Sequence, residues 1–198
     1  MKYMKPLNLF RDLLERNALE RGRLLGLDVG DKYVGLAVSD PDNKIASPLS
    51  VLIRKKTNMH LVAEDLQRMI SELSLAGFIV GYPSNRLWRH PDSVRVKIFI
   101  DDLCKTGKLE GVKYTFWDEC FTSKNVELLI KPLKLPPTLS KTITDKFAAV
   151  GILQKSGIRK VVESNGLYGI RHLILSSEGR MEQFILKLSV VKRAMDIL

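Results

Sequence analysis

Three groups of acidic side chains stand where an acid is costly. Asp28 lies inside the apolar run Leu24-Leu25-Gly26-Leu27-Asp28-Val29, directly before Gly30. Asp118 and Glu119 close a second apolar run, and Asp145 precedes Ala148, Ala149 and Ile152 at the i, i+3, i+4, i+7 spacing of one helix face. A buried carboxylate takes up a proton unless a cation or a basic group answers its charge. Acids converging from three elements suit hard divalent cations, which take oxygen ligands. Two such ions about 3.5–4 Å apart stabilise both attacking and leaving oxygens of a phosphodiester displacement. The plainer reading of Asp28 is a side chain that caps its own turn.

The elements that must position these acids follow from periodicity. In a strand from Leu24 to Val29, alternation puts Leu25, Leu27 and Val29 on one face and Gly26 and Asp28 on the other. Tyr33 to Ser39 sorts likewise, with Val34, Leu36 and Val38 opposite Gly35, Ala37 and Ser39. The turn at Gly30-Asp31 predicts a hairpin, and Ile45 to Ile53 reads as a third strand beside it. Asn58 to Ala76 has a helical stripe at 62, 66, 69, 70 and 73, Phe78 to Val80 a short strand ending in Gly81-Tyr82-Pro83, and Pro91 to Gly107 a helical stripe at 96, 99, 100 and 103. Tyr114 to Trp117 is a further strand ending in Asp118-Glu119, of which Glu119 is taken to face the site. Lys131 to Lys141, with Pro132, Pro136 and Pro137, reads as a loop, and Lys141 to Ser156 as a last helix that aims Asp145 at the sheet. The order predicts an α/β fold: a mixed five-stranded sheet, antiparallel in its first three strands, flanked by helices. Functional residues of such sheets collect beyond strand ends.

The 198 residues, 45% hydrophobic and 27% charged, suffice for one core with extensions. The expected division is a helical N-terminal extension over 1–22, a catalytic domain over 23–160 and a C-terminal extension of unassigned role over 161–198. Pro6 to Leu19, with Leu7, Phe10, Leu13, Leu14 and Leu19, reads as an amphipathic helix that docks on the core or on a second subunit, which would make a homodimer. The apolar runs are far shorter than the roughly 20 residues of a membrane span, and no secretory region is evident. Asp12, Glu15 and Glu20 argue against a transit peptide, so the expected location is cytoplasmic, with no membrane partner. Cys104 and Cys120 form no CxxC pair, and His60, His90 and His172 fit no zinc spacing. The net charge is +10, and residues 121–160 hold Lys124, Lys131, Lys134, Lys141, Lys146, Lys155, Arg159 and Lys160 against Glu127 and Asp145. A field this one-sided favours phosphate backbones. A solvated lysine-rich face without a partner is the alternative.

At its acids the chain resembles the YqgF/RuvX family of RNase H-like fold, known as Holliday junction resolvases and pre-16S rRNA nucleases. The resemblance runs from about Leu24 to Ser156. It rests on Asp28-Val29-Gly30-Asp31-Lys32 continuing through Val34-Gly35-Leu36-Ala37-Val38-Ser39-Asp40, on Gly81-Tyr82-Pro83, on Trp117-Asp118-Glu119 with Thr122, and on Asp145-Lys146-Phe147-Ala148-Ala149. It implies that Asp28, Glu119 and Asp145 coordinate Mg²⁺ or Mn²⁺, as a pair of ions. The implied substrate is structured nucleic acid, an rRNA precursor or branched DNA, gripped by Lys32, Lys124, Lys131, Lys134, Lys141 and Lys146. The chain departs from the family where Lys-Arg becomes Lys32-Tyr33 and where Asp-Glu-Arg becomes Asp118-Glu119-Cys120, removing two arginines suited to holding phosphate. Two other readings follow: a nucleic-acid-binding protein of this fold with impaired catalysis, and an actin-like phosphate-binding lobe, which shares the Asp-x-Gly turn.

Overall fold

Alternation in the two long strands of the hairpin decides which face of the sheet each helix takes. In the computed structural model, which describes residues 1–15, 22–83, 91–118, 126–127, 130–133 and 135–156, the elements are β1 Lys2–Tyr3, α1 Pro6–Glu15, β2 Arg23–Val29, β3 Tyr33–Ser39, β4 Ala46–Ile53, α2 Met59–Leu73, β5 Leu75–Tyr82, α3 Pro91–Lys105, β6 Lys113–Asp118 and α4 Pro137–Lys155. They build one six-stranded sheet in the order β1-β6-β5-β2-β3-β4. β2, β3 and β4 form an antiparallel meander, while β5 runs parallel to β2, β6 to β5 and β1 to β6. The mixed sheet with an antiparallel first half is the one expected, with one strand more.

The bulky face carries Leu25, Leu27, Val29, Val34 and Leu36, and α2 and α3 cover it with Val62, Ala63, Leu66, Val96, Phe99, Ile100 and Leu103. The small face receives α4. A Cβ on Gly26 would stand 2.8 Å from Leu153 Cβ and 2.9 Å from Ala149 O, and one on Gly35 would overlap the carbonyl of Asp145. Both glycines are therefore required by close approach of the helix rather than by backbone angle. Gln154 fastens the far end of α4: its Oε1 accepts from Ala46 N at 2.9 Å and its Nε2 donates to Lys44 O at 3.1 Å.

Several boundaries differ from expectation. β5 runs Leu75–Tyr82 rather than Phe78 to Val80, so Gly81 and Tyr82 of the expected turn pair within the strand, with Trp117 and Asp118. The sixth strand, β1, pairs Lys2 with Lys113 and Tyr3 with Tyr114; two residues carry no readable period. α1 then docks on β6 through buried Leu9, Phe10 and Leu13, with Phe10 edge-on to Trp117 at 6.4 Å and Lys113 Nζ 2.6 Å from Asp12. α4 begins at Pro137 rather than Lys141, because proline at the first helical position gives up only an amide that has no helical partner there. α2 stops at Leu73, where Ser74 turns left-handed at φ 52° and its amide closes on Ile70 O. Met1–Arg159 is one compact unit; a second, Lys160–Leu198, lies outside the described residues. Among the described residues no helix is long and apolar enough to cross a membrane.

Candidate active site

Asp28 is the penultimate residue of β2 and is buried, at 8% exposure. Its ladder partner is Gly35. Because Gly35 has no side chain, the backbone of α4 settles onto β3 at Asp145, one ladder step from Asp28. The sequence thus brings two carboxylates 117 positions apart into one buried site (145 − 28) by leaving one position of the neighbouring strand empty. Asp145 is 4% exposed.

The charge of this pair is answered from α4 itself. Lys141, one turn before Asp145, places Nζ 2.6 Å from Asp145 Oδ1. Among the described residues, Asp145 Oδ2 is buried with no hydrogen-bond partner. Burial pushes the Asp145 carboxyl above its ordinary range; the hydrogen bond and charge of Lys141 pull it back without cancelling the rise, and Glu127 adds to it. For Lys141, burial opposes the charged form, but the hydrogen bond to Asp145 and the fields of Asp145, Asp28 and Glu127 outweigh it and raise its pKa. Asp28, Asp145, Lys141 and Glu127 are therefore one electrostatic unit. Glu127 escaped the sequence reading because a lone glutamate in a basic stretch has no spacing to mark it.

The remaining expected residues are distributed as follows. Asp118 is exposed at the last position of β6, in register with Tyr82. Glu119, Lys124 and Lys134 lie outside the described residues, as do Cys120 and Thr122. Lys32 is exposed in the β2–β3 loop, Lys131 is exposed in a short 3-10 turn, and Lys146 follows Asp145 on α4, half-buried. Among the described residues no three His, Cys, Asp or Glu side chains form a metal-holding group. The second half of the hairpin motif holds the strand ends together. Ser39 accepts from Leu24 N at 2.8 Å and donates to Asn43 at 2.6 Å, and Asp40 Oδ1 accepts from the amides of Lys44 and Ile45.

Two arginines that the sequence reading passed over brace the loop after Asp28. Arg54 N donates to Lys32 O at 2.8 Å and its Nη1 to Gly30 O at 3.2 Å, while its guanidinium lies over Phe99 at 5.2 Å. Arg95 sets Nε 2.6 Å from Asp31 and Nη1 2.8 Å from Asp92. Nothing in the sequence spacing links 54 or 95 to the hairpin, since the contacts with it span 22 residues or more.

The chain is similar to several known proteins. A protein of Caldicellulosiruptor saccharolyticus named "Putative pre-16S rRNA nuclease" is 33% identical over 134 residues, covering 67% of this chain and 94% of that one. One of the same name from Rhodospirillum centenum is 34% identical over 149 residues, covering 73% and 78%. Among solved structures, Thermus thermophilus RuvC in complex with a Holliday junction substrate aligns at a TM-score of 0.40 and 13% identity, over 64% of this chain and 91% of that one. Residues 22–156 match the model of the family described as "RuvX: Holliday junction resolvase", and that span holds Asp28, Gly35, Lys141 and Asp145. Matched over residues 22–156, the chain belongs to the RuvX family of nucleases.

Proposed function

We propose that the chain hydrolyses phosphodiester bonds of structured nucleic acid, an rRNA precursor or branched DNA, with Mg²⁺ or Mn²⁺ held by Asp28, Asp145 and Glu119. One observation carries the reading: Asp28 and Asp145 share a buried site across the side-chain-free Gly35. The donor set fits hard divalent cations, because both residues offer carboxylate oxygens and Asp145 Oδ2 is buried without a partner. Bound there, such ions supply an activated water at neutral pH and neutralise charge developing on the phosphate.

The chain's own residues do the rest. α4 fixes Asp145 against β3, and Arg54 with Arg95 holds the Gly30-Asp31-Lys32 loop so that Asp28 keeps its direction. Lys32 and Lys131, both exposed, would meet backbone phosphates, as would Lys124 and Lys134. The relatives named for pre-16S rRNA and the family description naming Holliday junctions supply the two substrate classes to compare.

The experiment is cleavage of a precursor rRNA end and of a four-way DNA junction by the purified full chain, with and without Mg²⁺ or Mn²⁺. Asp28→Asn should remove metal-dependent cleavage and leave the fold intact. Undiminished cleavage by that variant would sink the proposal, and so would tight binding by the wild type with no cleavage of either substrate.

A further inference from the structure

We infer that Lys141 is the site's resident counter-ion, its ammonium standing where a divalent cation meets Asp145, so that metal binding is an exchange of one cation for another. The inference rests on the metal-dependent reading above and concerns what the chain does before the metal arrives.

Its support is geometric. The i, i+4 spacing on α4 puts Lys141 and Asp145 on one helix face, and the ammonium sits 2.6 Å from Oδ1, leaving Oδ2 buried and unbonded. A carboxylate with one oxygen answered by a cation and the other left bare is half-satisfied, which is costly in a buried site. The Lys141 side chain is 53% exposed while that of Asp145 is 6% exposed. The ammonium can therefore withdraw into water, whereas the carboxylate cannot follow it. The fields of Asp28 and Glu127 act on the same ammonium. A divalent ion held by this carboxylate would have the ammonium, 2.6 Å from one of its oxygens, as a like-charged neighbour, and the two would repel strongly. The lysine must leave, and its tether keeps it at the mouth of the site, free for a phosphate of the substrate.

Mn²⁺ binding to the full chain without nucleic acid, read from the free-ion electron paramagnetic resonance signal, tests this. Lys141→Met should bind Mn²⁺ about tenfold more tightly than wild type, the scale of removing a neighbouring unit charge at a half-exposed site. Lys141→Arg should stay near wild type, and Lys141→Met should have no effect in an Asp145→Asn background. If wild type binds Mn²⁺ and Lys141→Met binds it equally or more weakly, the exchange is wrong while the metal reading stands. If neither wild type nor any variant binds it, both fall. A second measurement needs no variant: amine-reactive labelling of Lys141, followed by mass spectrometry, should rise severalfold on adding Mn²⁺ while labelling of Lys131 stays level. Unchanged labelling of Lys141 at saturating Mn²⁺ overturns the inference.

Discussion

Gly35 and Asp145 meet backbone to backbone, with no room for even a methyl group between them. Since Gly35 also faces Asp28 across the β2–β3 ladder, it is the spacer that sets how close the two acids come. Gly35→Ala should push α4 off the sheet, cost about 1–3 kcal/mol by overpacking and weaken Mn²⁺ binding together with stability. Gly107→Ala, at φ +70° with nothing within 4 Å, should cost about 1 kcal/mol from backbone strain alone and leave metal binding unchanged. Urea denaturation and Mn²⁺ titration of both variants separate the two effects.

Asp145→Asn should remove metal-dependent cleavage without loss of stability at neutral pH, because burial already disfavours the ionised acid. The folded chain holds the Asp145 proton more tightly than the unfolded chain does. Metal-free stability therefore falls as pH rises from the ordinary carboxylate value of 3.8 through the raised one, and is level above it. The Asn variant should lack that fall, which the difference between the two urea midpoints across pH displays.

The two arginines at the hairpin should differ in weight. Arg54→Ala strips a donor from Gly30 O and uncovers Phe99, and should cost about 2–3 kcal/mol. Arg95→Ala should cost less than about 1 kcal/mol, since its partner Asp31 is 75% exposed. Denaturant midpoints at moderate salt rank them; the reverse order would show that the loop is held by charge rather than by its carbonyls.

Phe10→Ala should lower stability by about 3 kcal/mol, as for a large ring lost from a packed site. It removes a buried ring that meets Trp117 edge-on. The near-ultraviolet dichroism should change with it.

Binding to a four-way junction should weaken linearly in log K against log salt. Lys131→Gln should reduce the slope by about 0.9 if that exposed lysine neutralises one duplex phosphate.

Much of this arrangement is legible in the residues. The period of two in β2 and β3 identifies both faces, because small residues at 26, 35 and 37 leave one side of the sheet empty and an empty side must be covered by a helix. The i, i+3, i+4, i+7 pattern from Asp145 places that acid inward for the same reason. What escapes is long in range or short in length. β1 is too brief for a period, α4 hides its start behind Pro136-Pro137, and Arg54 matters only through partners on other elements. Lys141 is legible as a cation near phosphates, yet spacing alone does not show that it rests on Asp145.

The middle and the C-terminal end of α4 are both tied to the hairpin region, Asp145 against Gly35 and Gln154 against Ala46, across 108 positions in the latter case. Such long closure comes late in folding. During synthesis the strand bearing Asp28 emerges and pairs well before the helix that completes the site exists. On the function proposed above, a chain still on the ribosome, surrounded by RNA, would carry Asp28 without its partner acid, and the capacity to cut would wait until α4, the last of the described helices, has been made and docked.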